Sequence, residues 1–471
     1  MLRPLLPLVA ALLALAGAAG PVHAARSLQL GFYDGTYLLE APKRGPWFQD
    51  TVDVGSDIVR IEIGWPVLNT PKRPPGLDAR DPADSHYDFS RADASIKDAH
   101  ARGLRVLASF QGAPRWAEGA NRPASARPGT WRPDPAAVHD YGVALARRYS
   151  GSFPDPARPG RSLPRVKAFQ VWNEPNLADY LNPQWSGRRE ASPQIYRRML
   201  TAFYNGVKSR RRDALVVTAG TGPFGDPQPG GRRMMPARFV RELLCLRRGR
   251  GRALLRLRCP APARFDVLSH HPYTAGAPSR AALNADDVAV VDLGKLKRLL
   301  RAAERSGRAL PRKRHRLWVT EFAYDSSPPD PDGVPLARQA RFLQESFYLL
   351  WRQGVDTIMW FLVRDVPPKP SFAVTRQSGV FFRDGRRKPA ATAFRFPLVA
   401  QRAGRNAVRV WGRSPLAGTV TIERRSGSRW RAAKALRVRR RGVFTARIPA
   451  GAARSFRARV GAERSLVWLL R

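Results

Sequence analysis

The first 400 residues alternate between short apolar runs and longer segments with helical periodicity. The short runs are apolar on both faces, which is typical of strands covered by helices on both sides. The predicted strands are 28–33, 58–65, 104–110, 166–172, 215–219, 265–269, 317–322 and 357–363, and the helical segments between them include 92–101, 136–149, 195–210, 293–303 and 339–352. Eight strands alternating with helices predict an α/β fold, the (β/α)8 TIM barrel. An open doubly wound sheet gives the same alternation, but no Gly-rich phosphate motif follows the first strand.

The pattern changes after residue 397. Short alternating runs separated by turn residues extend from residue 406 onward, which predicts a small all-β domain resembling a sandwich. We therefore divide the chain into a barrel at 25–400 and a C-terminal β domain at 405–471. This last segment carries 18 Lys and Arg residues against 2 Asp and Glu residues, a net charge of +16. Such a charge is either a solvated face or a docking surface for an anionic polymer.

The whole chain is strongly basic, with 82 Lys and Arg residues against 37 Asp and Glu residues. Of these 82 residues, 11 are Lys and 71 are Arg, and they are spread over the whole chain. Nucleic-acid binding is not favoured, because it calls for a basic patch or stripe. An acidic polysaccharide or cell-wall polymer is favoured over nucleic acid as an anionic partner, and generic surface charge with no partner is the leading alternative. No phosphate loop, EF-hand loop or His-Glu-x-x-His motif is present, so neither a cofactor nor a metal is predicted.

Residues 1–24 have the features of a secretory signal peptide. Arg3 supplies a positive charge, an apolar run follows, and residues 22–24 fit the small-x-small cleavage rule. The apolar run is short for a membrane span, so we expect a secreted mature chain with no membrane association. An uncleaved anchor is the alternative. Export also favours a disulfide between the two cysteines, Cys245 and Cys259, over two free thiols.

Two glutamates follow predicted strands of the barrel. Glu174 comes directly after the fourth strand in the sequence Trp-Asn-Glu-Pro-Asn, and Glu321 ends the seventh in Trp-Val-Thr-Glu-Phe. In a barrel of this kind the chemistry lies at the carboxyl ends of the strands. Two carboxyl groups that flank one bond are what glycoside hydrolysis needs, one as an acid and one as a carboxylate. The alternative is that each is an ordinary surface or ion-pairing residue.

These motifs resemble those of the clan A glycoside hydrolases. The segment 171–176 is similar to the clan's acid/base motif and Thr320-Glu321 to its nucleophile motif. Weaker similarities, at 60–65, 87–89, 113–117 and 270–273, resemble family 39 and related bacterial endoglycosidases that act on exopolysaccharides. The resemblance implies a retaining mechanism in which Glu174 is the general acid/base and Glu321 the nucleophile.

The same resemblance implies roles for several neighbouring side chains. Asn173 would bind the sugar 2-hydroxyl, and Tyr273 would donate a hydrogen bond to the nucleophile. Arg60 is the candidate for the positive charge beside Glu321, and His271 either binds a sugar hydroxyl or braces its loop. Indole rings stack on the apolar faces of sugars, and the candidates for this role are Trp65, Trp116 and Trp360, of which the last resembles the floor of the clan's central subsite.

We therefore expect a secreted retaining glycosidase that cleaves β-glycosidic bonds in an oligo- or polysaccharide. Two alternatives stay open. One is a transglycosidase on the same two glutamates, with a sugar as acceptor in place of water. The other is a non-catalytic carbohydrate- or cell-wall-binding protein that keeps the barrel and attaches through the basic C-terminal domain.

Overall fold

The computed structural model describes residues 24–251, 253–449 and 451–470. Except for Ala24, the predicted signal peptide lies outside the described residues. Eight parallel strands close into a barrel in the spatial order β1-β8-β7-β6-β5-β4-β3-β2. The strands are β1 (Gln29–Tyr33), β2 (Ile58–Glu62), β3 (Arg105–Phe110), β4 (Ala168–Val171), β5 (Leu215–Thr218), β6 (Val267–His270), β7 (Arg316–Val319) and β8 (Thr357–Phe361). All eight predicted strands are confirmed, with shifts of a few residues at their ends.

Helices follow the strands and cover the barrel. They are α1 (Ala41–Asp53), α2 (Ser90–Ala101), α3 (Pro135–Arg148), α4 (Ser192–Arg210), α5 (Pro236–Leu243), α6 (Gly294–Arg305), α7 (Leu336–Arg352) and α8 (Pro389–Arg395). The start of α3 shows how the sequence sets such a boundary. The Asp134 carboxylate accepts a hydrogen bond from the Ala136 amide at 2.9 Å, and Pro135 occupies the first helical position, where no backbone donor is needed.

The barrel is filled by inward-facing side chains rather than open. A layer near its base contains Ile58, Leu107, Ala168, Val217, Val267, Trp318 and Met359. Gly31 on β1 makes room for this layer, because a Cβ there would lie 2.2 Å from the Ile58 carbonyl oxygen and 2.7 Å from its side chain. The layer explains why Trp318 is structural, since its ring is 2% exposed inside the barrel. A ligand can therefore enter only above this layer, at the mouth formed by the carboxyl ends of the strands.

The C-terminal domain consists of two antiparallel sheets. One contains β9 (Leu398–Arg402), β10 (Ala407–Arg413) and β13 (Val443–Pro449), and the other contains β11 (Gly418–Ser426), β12 (Arg429–Val438) and β14 (Ser455–Val460) with two short final strands, β15 (Glu463–Arg464) and β16 (Trp468–Leu469). The predicted all-β character is confirmed. The predicted start at residue 405 misses β9, which pairs with β10 along its whole length. The sheet thus begins at the residue after Pro397, where the sequence pattern changes.

Two further expectations concern the chain as a whole. A disulfide joins Cys245 and Cys259, whose Cα atoms are 6.0 Å apart, and it closes a loop that holds the short hairpin Leu246–Arg248 and Leu254–Arg256. Across residues 24–470, the helices that the structure describes include none with the length and apolar character of a membrane span.

A buried ion pair connects the C-terminal domain to the barrel. Arg413 on β10 is 1% exposed and donates to the Asp57 carboxylate just before β2, and it also donates to the Leu28 carbonyl at 3.2 Å. Arg441 reaches the other oxygen of Asp57 at 3.0 Å, and the Leu30 amide donates to the carboxylate at 2.9 Å. The Asp57 carboxylate is therefore satisfied only when both domains are in place, and the two domains stabilise each other.

We predict that Arg413→Ala lowers the free energy of unfolding by about 3 kcal/mol, because it leaves a buried carboxylate short of its main cation. Arg409→Ala is the matched control, since Arg409 lies on the same strand but is exposed, and it should change the free energy by less than about 0.5 kcal/mol. Chemical denaturation of both variants measures the difference. Equal effects would show that the pair contributes nothing specific.

Candidate active site

Glu174 and Glu321 both lie at the mouth formed by the carboxyl ends of the strands. Glu174 follows β4 and Glu321 follows β7, and β5 and β6 lie between these two strands in the barrel. Their side chains are mostly buried, at 13% and 14% exposed. The fold therefore brings together two carboxyl groups that are 147 positions apart in the sequence, and it leaves each of them open to a ligand entering the mouth.

His271, directly after β6, lies between the two carboxyl groups. Its Nδ1 is 2.9 Å from Glu174 Oε1 and 3.9 Å from Glu321 Oε2. At least one oxygen of each carboxyl group must therefore lie within about 7 Å of the other, the sum of these two distances. Retaining glycosidases hold the pair about 5–5.5 Å apart and inverting enzymes about 6.5–9.5 Å apart. The two groups are close enough to flank a single glycosidic bond.

The backbone that carries Glu174 is strained. Trp172 and Glu174 have φ angles of 74° and 35°, in the left-handed region that side chains other than glycine rarely adopt. The turn is held by hydrogen bonds from the Trp172 amide to the Phe110 carbonyl at 2.8 Å and from the Glu174 amide to the Gly220 carbonyl at 3.0 Å. Such strain costs about 1–3 kcal/mol per residue and is typically found at functional sites. It aims Glu174 into the mouth instead of along the strand direction.

Burial sets the protonation of Glu174 and His271. Burial raises the pKa of Glu174 to about 7, although Arg60 and Arg376 lower it. Burial lowers the pKa of His271 to about 4, so its imidazole is neutral at neutral pH. Glu174 can therefore carry a proton near pH 7 and also give it up, which suits a general acid that later acts as a base.

A chain of hydrogen bonds lets His271 serve Glu174 in either protonation state. His271 Nε2 lies 3.0 Å from Thr320 Oγ1, and Thr320 Oγ1 accepts from Gln170 Nε2 at 3.0 Å and reaches Ser269 Oγ at 3.4 Å. When Glu174 is protonated, its hydroxyl donates to Nδ1 and Nε2–H donates to Thr320. When Glu174 is ionised, Nδ1–H donates to it and the Thr320 hydroxyl donates to Nε2. The neutral ring thus follows the carboxyl group by exchanging tautomers.

A glycine allows His271 to sit where it does. A Cβ on Gly220, just after β5, would lie 2.0 Å from His271 Nε2. The ring therefore packs directly on the backbone of the neighbouring strand end, where any larger residue would displace it. The sequence left two roles open for His271, binding a sugar hydroxyl or bracing its loop. The structure favours the bracing role, because the ring is fully buried and both ring nitrogens contact protein groups.

Arg60 on β2 is the electrostatic centre of the site. It is fully buried, and its Nη1 donates to Glu321 Oε2 at 3.2 Å. Its Nη2 donates to Asn173 Oδ1 at 3.0 Å, and its Nε donates to Ser109 Oγ at 3.1 Å. The guanidinium therefore places a positive charge directly beside one oxygen of the Glu321 carboxyl group. It also fixes Asn173 with its oxygen toward Arg60, which leaves the Asn173 amide protons available to a ligand.

Tyr273 provides the second donor to Glu321. Its hydroxyl lies 2.8 Å from Glu321 Oε1, so the two oxygens of Glu321 are held separately by Tyr273 and Arg60. Burial and the adjacent Glu321 carboxylate raise the pKa of Tyr273 well above its ordinary value, which keeps the phenol protonated and donating. The structure therefore brings Arg60, Asn173, His271 and Tyr273 to the two glutamates.

The three tryptophans are placed differently from the site residues above. Trp65 is 9% exposed and stacks on Tyr141 with ring centres 4.9 Å apart. Trp116 is half-buried, meets Trp65 edge-on at 6.3 Å, and donates to the Leu68 carbonyl at 3.2 Å. Trp116 therefore keeps an accessible face on the loop after β3, whereas Trp65 belongs mainly to the aromatic packing beneath it.

Trp360 does not offer a stacking surface, contrary to the expectation from the sequence. Its ring is fully buried, packs edge-on against Phe322 at 5.1 Å, and donates to the Ser378 carbonyl at 2.7 Å. Alternation along β8 explains this, since Met359 belongs to the barrel interior and the next side chain faces the helices. Phe361 is the residue of this strand that returns to the mouth, where it stacks on Tyr33 at 5.3 Å.

Three residues at the mouth were missed from the sequence. Glu62 on β2 accepts from the Tyr33 hydroxyl at 3.0 Å and from Gln111 Nε2 at 2.6 Å, and it lies 3.5 Å from Arg60 Nη2. The sequence could have indicated Glu62, because this residue lies two positions after Arg60 and side chains with that spacing share one face of a strand. Tyr33 and Gln111 end or follow neighbouring strands, but nothing in their own sequence context distinguishes them.

The adjacent histidines point in opposite directions. His270 Nε2 donates to the Val288 carbonyl at 2.8 Å and its Nδ1 lies 2.8 Å from Thr221 Oγ1, outside the mouth. Burial lowers the pKa of His270 to about 3. Within the part of the chain that the structure describes, no group of three His, Cys, Asp or Glu side chains is arranged as metal ligands would be.

The fold is similar to those of solved glycoside hydrolases. A family 39 glycoside hydrolase from the gut symbiont Bacteroides cellulosilyticus WH2 is 16% identical with a TM-score of 0.55, over 90% of this chain and 81% of that one. A monomeric β-xylosidase from Caulobacter crescentus CB15 is 14% identical with a TM-score of 0.50, over 92% and 95%. A glucosidase from Croceicoccus marinus is 16% identical with a TM-score of 0.50, over 89% and 82%.

These similarities confirm, at the level of the fold, the resemblance expected from the motifs at 171–176 and 320–321. No protein-family model and no curated protein sequence matches the chain.

We predict that Glu174→Gln stabilises the protein at pH 8 and has little effect at pH 5. The pKa of Glu174 is about 7 in the folded protein and 4.5 ordinarily, so the wild type loses up to about 3 kcal/mol as pH rises through this window. Glutamine mimics the neutral acid and removes that loss. Melting temperatures between pH 5 and pH 8 measure it, with exposed Glu40→Gln as control. A gain independent of pH would contradict the raised pKa.

Proposed function

We propose that the protein is a retaining glycoside hydrolase that cleaves β-glycosidic bonds. The observation that carries this proposal is the environment of the two glutamates. Glu174 is buried with a pKa of about 7, and Glu321 is held by a guanidinium and a phenol within reach of the same histidine. One group is suited to hold a proton near neutral pH, and the other has each of its two oxygens held by a donor, which suits the acid and the nucleophile of double displacement.

The first half-reaction forms a covalent bond to Glu321. One oxygen of its carboxylate attacks the anomeric carbon, the bond from that carbon to the leaving oxygen breaks, and Glu174 gives its proton to the leaving oxygen. Arg60 and Tyr273 hold the nucleophile in place throughout. Asn173 is positioned to donate to the sugar 2-hydroxyl, an interaction that contributes most when it strengthens in the transition state.

The second half-reaction reverses the roles. Glu174, now a carboxylate, takes a proton from water as the water oxygen bonds to the anomeric carbon, and the ester to Glu321 breaks. The product keeps the β configuration, and both glutamates return to their starting states. Because His271 accepts either state of Glu174 by changing its tautomer, no charge needs to be created on the buried ring.

We predict that Glu321→Ala abolishes turnover of aryl β-glycosides, whereas Glu174→Ala lowers kcat by about 10²–10⁴-fold. For dinitrophenyl leaving groups, which need no proton, Glu174→Ala should lose little in kcat/KM, whereas kcat stays low because the second half-reaction lacks its base. Added azide should then restore turnover and yield a β-glycosyl azide, since azide needs no general base. We expect wild-type activity to fall above about pH 7, as Glu174 loses its proton. This fall should disappear in Glu174→Ala.

Asp179→Asn is the matched control, because Asp179 lies in the same loop as Glu174 but is 51% exposed and paired with Arg232, and it should retain activity. An α-configured first product would contradict retention. Products extended by an acceptor sugar in place of released sugar would support the transglycosidase. A wild type that binds glycans but cleaves none of a broad β-glycoside panel would support the binding protein.

We further propose that the secreted enzyme attaches to an anionic polysaccharide through its C-terminal domain. The surface concerned, the outer sheet face, comprises Trp430, Arg425, Arg437, Arg457 and Arg459. Residues paired directly across antiparallel strands share a face, and Trp430 pairs with Arg425, Arg437 with Thr419 and Arg459 with Thr421.

Charge and an aromatic ring coincide on the outer sheet face. The Arg457 guanidinium lies 4.3 Å from the centre of the Trp430 ring. The carboxylate of Glu423 is already engaged by Arg457 at 2.6 Å and by Arg459 at 3.0 Å. Arg425 and Arg437 are exposed. A ring flanked by guanidinium groups suits a polymer of sugars that carries negative charge.

We predict that the double variant Arg425→Ser and Arg437→Ser elutes from immobilised polygalacturonate at lower salt than the wild type, because surface attraction is screened and depends on local charge. The matched control is Arg158→Ser with Arg161→Ser, two exposed residues of the barrel, which removes the same net charge. Equal shifts for both variants would show that only total charge matters and would contradict a dedicated face.

A further inference from the structure

Glu62 is a third carboxylate at the mouth, beside the two that double displacement uses. Its side chain is 23% exposed, against 13% for Glu174 and 14% for Glu321, so it is the most open of the three. The Tyr33 hydroxyl donates to one of its oxygens and Gln111 Nε2 to the other. An ionised carboxylate has about four acceptor positions, so acceptor capacity remains for a ligand that enters the mouth.

The supports of Glu62 hold it in a fixed orientation. Tyr33 lies on β1, Glu62 on β2 and Gln111 directly after β3, so three adjacent strands contribute to one arrangement. The Arg60 guanidinium lies over the Tyr33 ring at 4.2 Å from its centre. Burial, with the neighbouring Glu62, raises the pKa of Tyr33 well above its ordinary value, so the phenol remains a donor to Glu62. A carboxylate fixed on both oxygens is suited to select among ligands.

Glu62 gives the mouth an excess of negative charge. Arg60 faces both Glu321 at 3.2 Å and Glu62 at 3.5 Å, so one guanidinium serves two carboxylates. His271 is neutral at neutral pH, and Glu174 is largely protonated below pH 7. Arg376 at the rim is paired with Asp325 at 3.1 Å. Hydrolysis needs the charge of Glu321, but it does not need that of Glu62.

We infer that Glu62 determines the specificity of the glycone site, which accepts a sugar presenting hydroxyl or ammonium donors to this carboxylate and rejects a sugar that carries a carboxylate. The inference rests on the proposed glycosidase function. It also implies that the sugar at the cleaved bond and the polymer to which the protein attaches differ in charge, because the outer sheet face is basic whereas the mouth has an excess of negative charge.

The test compares aryl β-glycosides that differ only in charge. From glucosides, galactosides and mannosides, the best substrate is chosen, and its amino-sugar and uronic-acid counterparts are assayed with the wild type and Glu62→Gln. We expect the wild type to cleave the uronide at least 100-fold less efficiently in kcat/KM than the neutral sugar. In Glu62→Gln, kcat/KM for the neutral sugar should fall about 10- to 100-fold, since a charged hydrogen bond is lost. The ratio of kcat/KM for the uronide to that for the neutral sugar should rise at least 10-fold.

Tyr33→Phe distinguishes recognition from simple positioning. This variant removes one support of Glu62 and keeps its charge, so it should lower kcat/KM for the neutral sugar and the uronide by similar factors. If Glu62 acts only by holding Arg60, Glu62→Gln will behave in the same way and leave the ratio of the two substrates unchanged, which would overturn the inference. A wild type that prefers the uronide would also overturn it.

Binding gives a readout that does not depend on turnover. Saturation-transfer NMR with glucosamine, glucose and glucuronic acid should show contact for the first two, with weaker contact for glucosamine in Glu62→Gln. If no glycoside is hydrolysed but this pattern is observed, the proposed hydrolase function fails and the assignment of Glu62 stands. Binding of glucuronic acid alone, or of none of the three sugars, contradicts the assignment.

Discussion

The buried guanidinium of Arg60 is the interaction on which the arrangement of the mouth depends. Arg60 carries a full charge with no exposed surface, and such a charge is tolerated only where hydrogen bonds and opposite charges compensate for the lost water. The compensation comes from Glu321, Asn173, Ser109 and Glu62. Each of these groups is held in place by its contact with Arg60, so one buried cation positions Glu321, the Asn173 amide and Glu62.

The acid/base side of the mouth is organised by the opposite principle. Glu174 has no direct cation partner, and its raised pKa follows mainly from burial. Its orientation depends on a backbone turn with two positive φ angles and on an imidazole packed against Gly220. One carboxyl group thus lies beside a buried cation, and the other lies where burial raises its pKa to about 7. Two chemically identical side chains acquire different roles from their surroundings.

The barrel and its two strand-end glutamates could be predicted from the sequence because their signals are local. Apolar runs mark strands, and a residue after such a run lies at the mouth whatever the rest of the chain does. Arg60 and Tyr273 needed the family resemblance, since many arginines in this chain are surface residues. The prediction that Trp360 stacks on a sugar was wrong, because a shift of one residue moves a side chain to the other face of a strand. Gln111, Tyr33 and the pairing of Arg413 with Asp57 depend on contacts between distant segments, which no local pattern encodes.

The contrast between surface and mouth explains how a chain of net charge +45 can hold an acidic site. Charges on the surface are screened within about 8–10 Å at ordinary ionic strength, so most arginines act only on what touches them. The carboxyl groups at the mouth are mostly buried, so the few charges beside them dominate there. A basic outer sheet face and a carboxylate-rich mouth can therefore select different ligands at the same time. The polymer proposed to bind the outer sheet face and the sugar proposed to bind at the mouth need not share a charge, so total charge is a poor guide to the substrate.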